Sequence, residues 1–123
     1  MALPQDERRR YARLNALVDV AYNRHPHEPE TESLLRLSKN ISKGGICLIV
    51  YDELKKDDLL DLKIFLPDTN NPVEAMGQVV WASEFIIGDK IGKRYDVGIE
   101  FVKISDKDKD RIDRYVFSHL GVS

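Results

Sequence analysis

In Tyr95-Asp96-Val97-Gly98-Ile99-Glu100-Phe101 the apolar residues fall at every second position, with Asp96, Gly98 and Glu100 between them. A period of two marks a β-strand with one buried face. The same signature recurs toward the N-terminus. Val73, Ala75, Gly77, Val79 and Trp81 alternate, with Glu74 and Gln78 on the other side, and a charged loop, Gly88 to Arg94, separates this run from the last. Leu60, Leu62, Ile64 and Leu66 alternate with Asp61, Lys63 and Phe65 until Pro67 and the 68–72 cluster force a turn. Gly45 to Val50 is a dense β run expected to be buried on both faces, and Asn40 to Gly45 reads as a turn. Ser33 to Ser38 carries Leu34, Leu35 and Leu37. Before it, Arg24 to Glu32 has two prolines and no apolar residue, and Leu14 to Tyr22 again alternates.

Six such strands within residues 14–104 point to a mainly β domain. Its expected form is a closed six-stranded antiparallel barrel or a sandwich, since closure removes exposed edges. Beyond them the period changes. Ser105 with Asp108 three residues later is a helix-capping pattern, Ile112, Tyr115, Val116 and Leu120 recur at helical spacing, and Gly121 is suited to a C-terminal cap. Residues 105–121 are therefore expected to form one amphipathic helix, laid on the barrel or across an open end. Residues 1–13 precede the strands as a short flexible arm.

Composition bounds the function. At 123 residues the chain is sized for one domain, and 42% hydrophobic with 33% charged residues is a globular composition. The longest unbroken apolar run, Ile46 to Tyr51, falls far short of the roughly 20 residues of a spanning helix, so no membrane insertion is expected. The N-terminus lacks an apolar secretory core, and the single Cys47 reads as a small buried hydrophobe, so a cytoplasmic location is expected. Net charge is −2, unevenly spread: Arg8, Arg9, Arg10 and Arg13 face only Asp6 and Glu7, leaving fifteen bases and nineteen acids in the remainder. Such an acidic body argues against a broad DNA- or RNA-binding face.

Catalytic signatures are weak. There is no phosphate loop ending in Lys-Ser or Lys-Thr and no nucleophile elbow. His25 and His27, with Glu28 and Glu30 beside them, read as solvated loop residues rather than metal ligands. The alternating acids and bases from Asp106 to Arg114 read as a solvent-facing helix surface with (i, i+3) and (i, i+4) pairs. No enzyme activity, metal or cofactor is expected.

Two segments carry binding chemistry. Four guanidiniums at Arg8, Arg9, Arg10 and Arg13 can fork onto phosphate oxygens, stack on flat rings, or donate to the O6/N7 edge of guanine. Taken alone, the segment reads equally as a solubilising tail. Asn40-Ile41-Ser42-Lys43-Gly44-Gly45 offers short polar side chains for a turn, and two glycines that permit positive φ or close approach of a ligand. Taken alone, it is a tight turn between strands.

Arg9-x-x-x-Arg13 ahead of the first strand, Asn40-x-Ser42-x-x-Gly45, the Val79-Val80-Trp81 strand and Tyr95–Phe101 before a helix, in that order, resemble the PilZ domain family from Glu7 to Leu120. The resemblance implies a six-stranded barrel with a C-terminal helix that binds the bacterial second messenger cyclic di-GMP. It further implies that Arg9 and Arg13 grip guanine edges and phosphates, and that Asn40, Ser42 and Gly45 meet a guanine. Asn40 stands where an acidic residue is common, which removes a charge-assisted bond to the guanine N1–H and N2–H groups. Arg8 before the first motif arginine implies an intercalated cyclic di-GMP dimer as ligand. Trp81 lies on a strand that can border the ligand, and is otherwise a core residue. The implied function is a receptor that relays the signal to a partner protein by changing shape. Two readings compete: a ligand-independent protein-interaction module, and a small barrel for single-stranded nucleic acid.

Overall fold

The computed structural model describes residues 13–15, 17–26, 34–67, 71–86 and 93–119, with Arg13, Leu34 and Leu35 as backbone alone. The strands are β1 (Arg13–Leu14), β2 (Asp19–Arg24), β3 (Leu34–Ser42), β4 (Gly45–Val50), β5 (Leu59–Phe65), β6 (Val73–Ile86) and β7 (Lys93–Ile104), followed by helix α1 (Asp106–His119). Every pairing is antiparallel, in the circuit β3-β2-β5-β6-β7-β4, and β4 closes back onto β3. The result is the six-stranded barrel with one C-terminal helix. β1 is a two-residue addition beside β3, with Arg13 opposite Ser42 and Leu14 opposite Ile41.

Alternation decides which side chains fill the barrel. Val20, Ile41, Leu48, Val50, Leu60, Ile64, Val73, Val79 and Val97 are fully buried and belong to one core. Ile112, Tyr115 and Val116 of α1 join that same core, and the helix packs against β1, β3 and β6 to close the barrel there. Ser105 caps α1 as expected, its Oγ accepting from the Asp108 N–H at 3.1 Å.

Four sequence readings need correction. The expected strand from Leu14 to Tyr22 is broken. Between β1 and β2 the Val18 N–H donates to Ser38 Oγ at 3.0 Å, while the Val18 carbonyl accepts from the Ser38 N–H at 2.9 Å, so a buried hydroxyl replaces one ladder bond. Asn40 and Ser42 belong to β3, and the turn is only Lys43–Gly44. Lys93 and Arg94, assigned to a loop, start β7, which pairs with β6 as far as Lys93 opposite Ile86. Finally, the charged face of α1 is not wholly solvated. Asp108 pairs with Arg111 at 3.0 Å, both being under one-fifth exposed, and Asp108 accepts from the Glu74 N–H while Arg111 donates to the Asn71 carbonyl. The pair ties the helix to the start of β6.

Candidate functional site

The register places the candidate residues on adjoining lines of one outer wall. Ile41, Ile46, Ile99 and Val79 lie opposite one another across β3, β4, β7 and β6 and point into the core. Their neighbours in each strand therefore point outward. On one side of that line stand Arg13, Ser42, Gly45, Glu100 and Gln78, consecutive across β1, β3, β4, β7 and β6. On the other side stand Asn40, Cys47, Gly98 and Trp81. Strands lie about 4.8 Å apart, so Arg13 and Ser42 are nearest neighbours, and Asn40 and Trp81 stand about 14 Å apart along the wall. Arg8 and Arg9 lie outside the described residues.

Each described residue has a physical reason for its place. Ser42 is 9% exposed, and its hydroxyl spans the turn, accepting from the Gly44 N–H at 3.3 Å and donating to the Gly45 carbonyl at 3.4 Å. The Gly44 carbonyl accepts from the Phe101 N–H at 3.0 Å, pinning the turn to β7. A Cβ on Gly45 would sit 2.2 Å from the Ile99 carbonyl oxygen, so this glycine exists for the approach of β7 and not for a positive φ. Asn40 is half-buried, and its amide makes no hydrogen bond among the described residues. Trp81 is 44% exposed, which excludes the core reading.

Gly98 was missed as a site residue. A Cβ there would lie 2.1 Å from the Trp81 indole nitrogen and 2.3 Å from its Cε2, so the missing side chain is what lets the indole lie against β7. The signal was present in the sequence, because glycine inside a strand often marks a close approach. Cys47 beside it is 4% exposed, so the stretch of wall between Trp81 and Asn40 is a close-packed, uncharged floor.

Charge gathers on the far side of this floor. Asp96, two residues before Gly98, is buried and accepts from Lys39 Nζ at 3.1 Å and from Arg94 at 3.1 and 3.3 Å. A register shift between Ser38 and Asn40 marks a bulge at Lys39, and such bulges re-aim side chains. At the outer end of the β6–β7 hairpin, Lys93 bonds Glu84 at 3.1 Å, which holds the carboxyl below its usual range and the ammonium above its own. Desolvation, then the bond to Glu84, pushes the Tyr95 phenol up.

His25 Nδ1 pairs with Asp61 at 2.9 Å, and among the described residues no group of three or more His, Cys, Asp and Glu side chains could hold a metal. No helix among them is long and apolar enough to cross a membrane.

A closed barrel capped by one helix, with a polar hairpin and an exposed indole on the same wall, defines a small β-barrel module with a candidate surface site. The chain belongs to the PilZ domain family, whose model matches residues 7–118. Solved structures share the fold. The PilZ domain of YcgR from Escherichia coli, in a structure with c-di-GMP, matches with a TM-score of 0.63 and 19% identity, over 90% of each chain. The Bacillus subtilis inhibitor of motility MotI/DgrA matches at 0.70 and 23% identity, over 91% of this chain and 51% of that one. The K. pneumonia MrkH–c-di-GMP complex matches at 0.71 and 20% identity, over 91% and 52%. The chain thus spans about half the length of the latter two proteins. No curated protein matches it in sequence.

Proposed function

We propose that this domain is a receptor for cyclic di-GMP, which it holds on the outer wall of β3, β4, β7 and β6, and that binding alters the arginine arm so that a partner protein reads the change. The observation that carries this reading is the pairing of Arg13 with Ser42, which joins the two sequence motifs at one point of the barrel. Asn40, Gly98 and Trp81 on the adjoining line offer an amide and a flat apolar surface. Cyclic di-GMP carries two phosphates and two purines, so it needs both charge and stacking surface. The YcgR and MrkH structures, described as c-di-GMP complexes, support the ligand class.

In this reading Arg9 and Arg13 fork onto phosphate or guanine, Asn40 accepts from the guanine edge, and Ser42 and Gly45 keep the hairpin in place. Arg8 supplies a further cation for a second, intercalated ligand molecule. Ordering of the arm on binding is the conformational change transmitted. Isothermal titration with cyclic di-GMP is expected to give micromolar or tighter binding with two ligands per domain, and Arg9→Ala or Arg13→Ala to remove most of it. Heats no larger than those of a GMP control would refute the reading in favour of the ligand-independent interaction module.

A further inference from the structure

We propose that Lys39 is a second anion-binding group of this wall, standing across the Trp81–Gly98 platform from the Arg13–Ser42 pairing and taking a phosphate of the bound cyclic dinucleotide; this rests on the receptor reading above. Lys39 is the bulged residue beside Asn40. Its ammonium reaches over β4 to Asp96 on β7, at 3.1 Å. Asp96 lies two residues from Gly98 on the same face, so the ammonium stands at the edge of the indole platform.

The bonding around Asp96 makes Lys39 the releasable partner. Arg94 holds the carboxylate with two bonds, Nε to Oδ1 at 3.1 Å and Nη2 to Oδ2 at 3.3 Å, and also lies over the Phe85 ring at 5.3 Å. Lys39 makes one bond, to the same Oδ2, and its side chain is 55% exposed. Because the carboxylate is 4% exposed, stripping it of all partners would be costly, but Arg94 remains when Lys39 leaves. Two cations on one carboxylate also leave a positive charge uncancelled beside the platform. On this side of Trp81, Arg94 stays engaged with Asp96 and Phe85, so Lys39 is the cation able to turn to a dianion lying on the indole. A Lys39 swing from Asp96 to phosphate exchanges one charge-assisted bond for another and brackets the ligand between two cationic edges.

The test is titration of cyclic di-GMP into Lys39→Met, Lys39→Gln, Lys39→Arg and, as a charge control, Lys63→Met, which alters an exposed lysine of β5. Lys39→Met and Lys39→Gln are expected to weaken binding about tenfold, while Lys39→Arg keeps it within about threefold. Lys63→Met should bind as wild type, and the ligand-free melting temperature should stay unchanged in all four. Wild-type affinity in Lys39→Met, or equal losses in Lys39→Arg and Lys39→Met, would overturn the role of Lys39 while leaving the receptor reading intact. A folded wild-type domain that takes up no cyclic di-GMP would overturn the receptor reading, and this inference with it.

Discussion

Gly98→Ala separates the binding wall from the barrel that carries it. The added methyl would lie 2.1 Å from the Trp81 indole nitrogen, 2.3 Å from Cε2 and 2.7 Å from Cδ1. Ordinary contact needs about 3.5 Å, so the indole must lift by roughly 1.4 Å. Because Trp81 is 44% exposed, the ring can move into solvent without disturbing the core. Replacing a strand glycine by alanine returns about 0.5–1 kcal/mol, which offsets part of the lost indole packing. Net stability should therefore change by no more than about 1 kcal/mol in urea unfolding. Binding should suffer more, since a base stacked on an aromatic ring contributes about 1–3 kcal/mol, or roughly 5- to 150-fold in affinity. Tryptophan fluorescence should shift to longer wavelength without ligand. Gly45→Ala is the contrast: its methyl meets the Ile99 backbone oxygen at 2.2 Å, which no side-chain movement relieves. It should cost about 1–3 kcal/mol of stability, read as an earlier urea midpoint. Wild-type cyclic di-GMP affinity and unshifted fluorescence in Gly98→Ala would refute the platform.

Other outcomes follow from the barrel. Burial of Tyr22, followed by the nearby Asp52 carboxylate, pushes its phenol up to about 12 from an ordinary 10. Because the folded value is the higher, the stabilisation is full below pH 10, declines from 10 to 12, and is lost above. Two units correspond to about 2.7 kcal/mol, and urea unfolding of wild type against Tyr22→Phe should show this difference in pH dependence; parallel curves would exclude it. Ser38→Ala leaves the buried Val18 N–H without its acceptor and should cost about 1–3 kcal/mol, measured by thermal unfolding. Ser105→Ala removes the cap of α1 and should cost about 1 kcal/mol by the same measurement, with cyclic di-GMP affinity unaltered.

The barrel was legible because its strands alternate: Tyr95 to Phe101 and Leu60 to Leu66 each show one buried face without help from tertiary contacts. The break between β1 and β2 was not, because the apolar alternation continues through it and the compensating bond comes from Ser38, twenty residues away. Asn40 and Ser42 looked like turn residues because their side chains suit turns. Strand pairing with Cys47 and Gly45 outweighed that preference and left only Lys43 and Gly44 to turn. The candidate residues were legible as types, while their meeting was not. Only the register puts Ser42 beside Arg13, and only three successive pairings across four strands put Asn40 and Trp81 on one line. The Lys39–Asp96–Arg94 cluster depends on a bulge and on a contact spanning β4, neither of which leaves a pattern in the sequence.

The central claim is that the arginine arm and the β3–β4 hairpin hold the same bound cyclic di-GMP. The most direct measurement is a two-dimensional amide spectrum recorded with and without cyclic di-GMP. Resonances of residues 8–13, of Asn40 to Gly45 and of the Trp81 indole N–H are expected to shift in concert along a single titration curve. Shifts in only one of these segments, or titration of the arm and the hairpin with different midpoints, would contradict it.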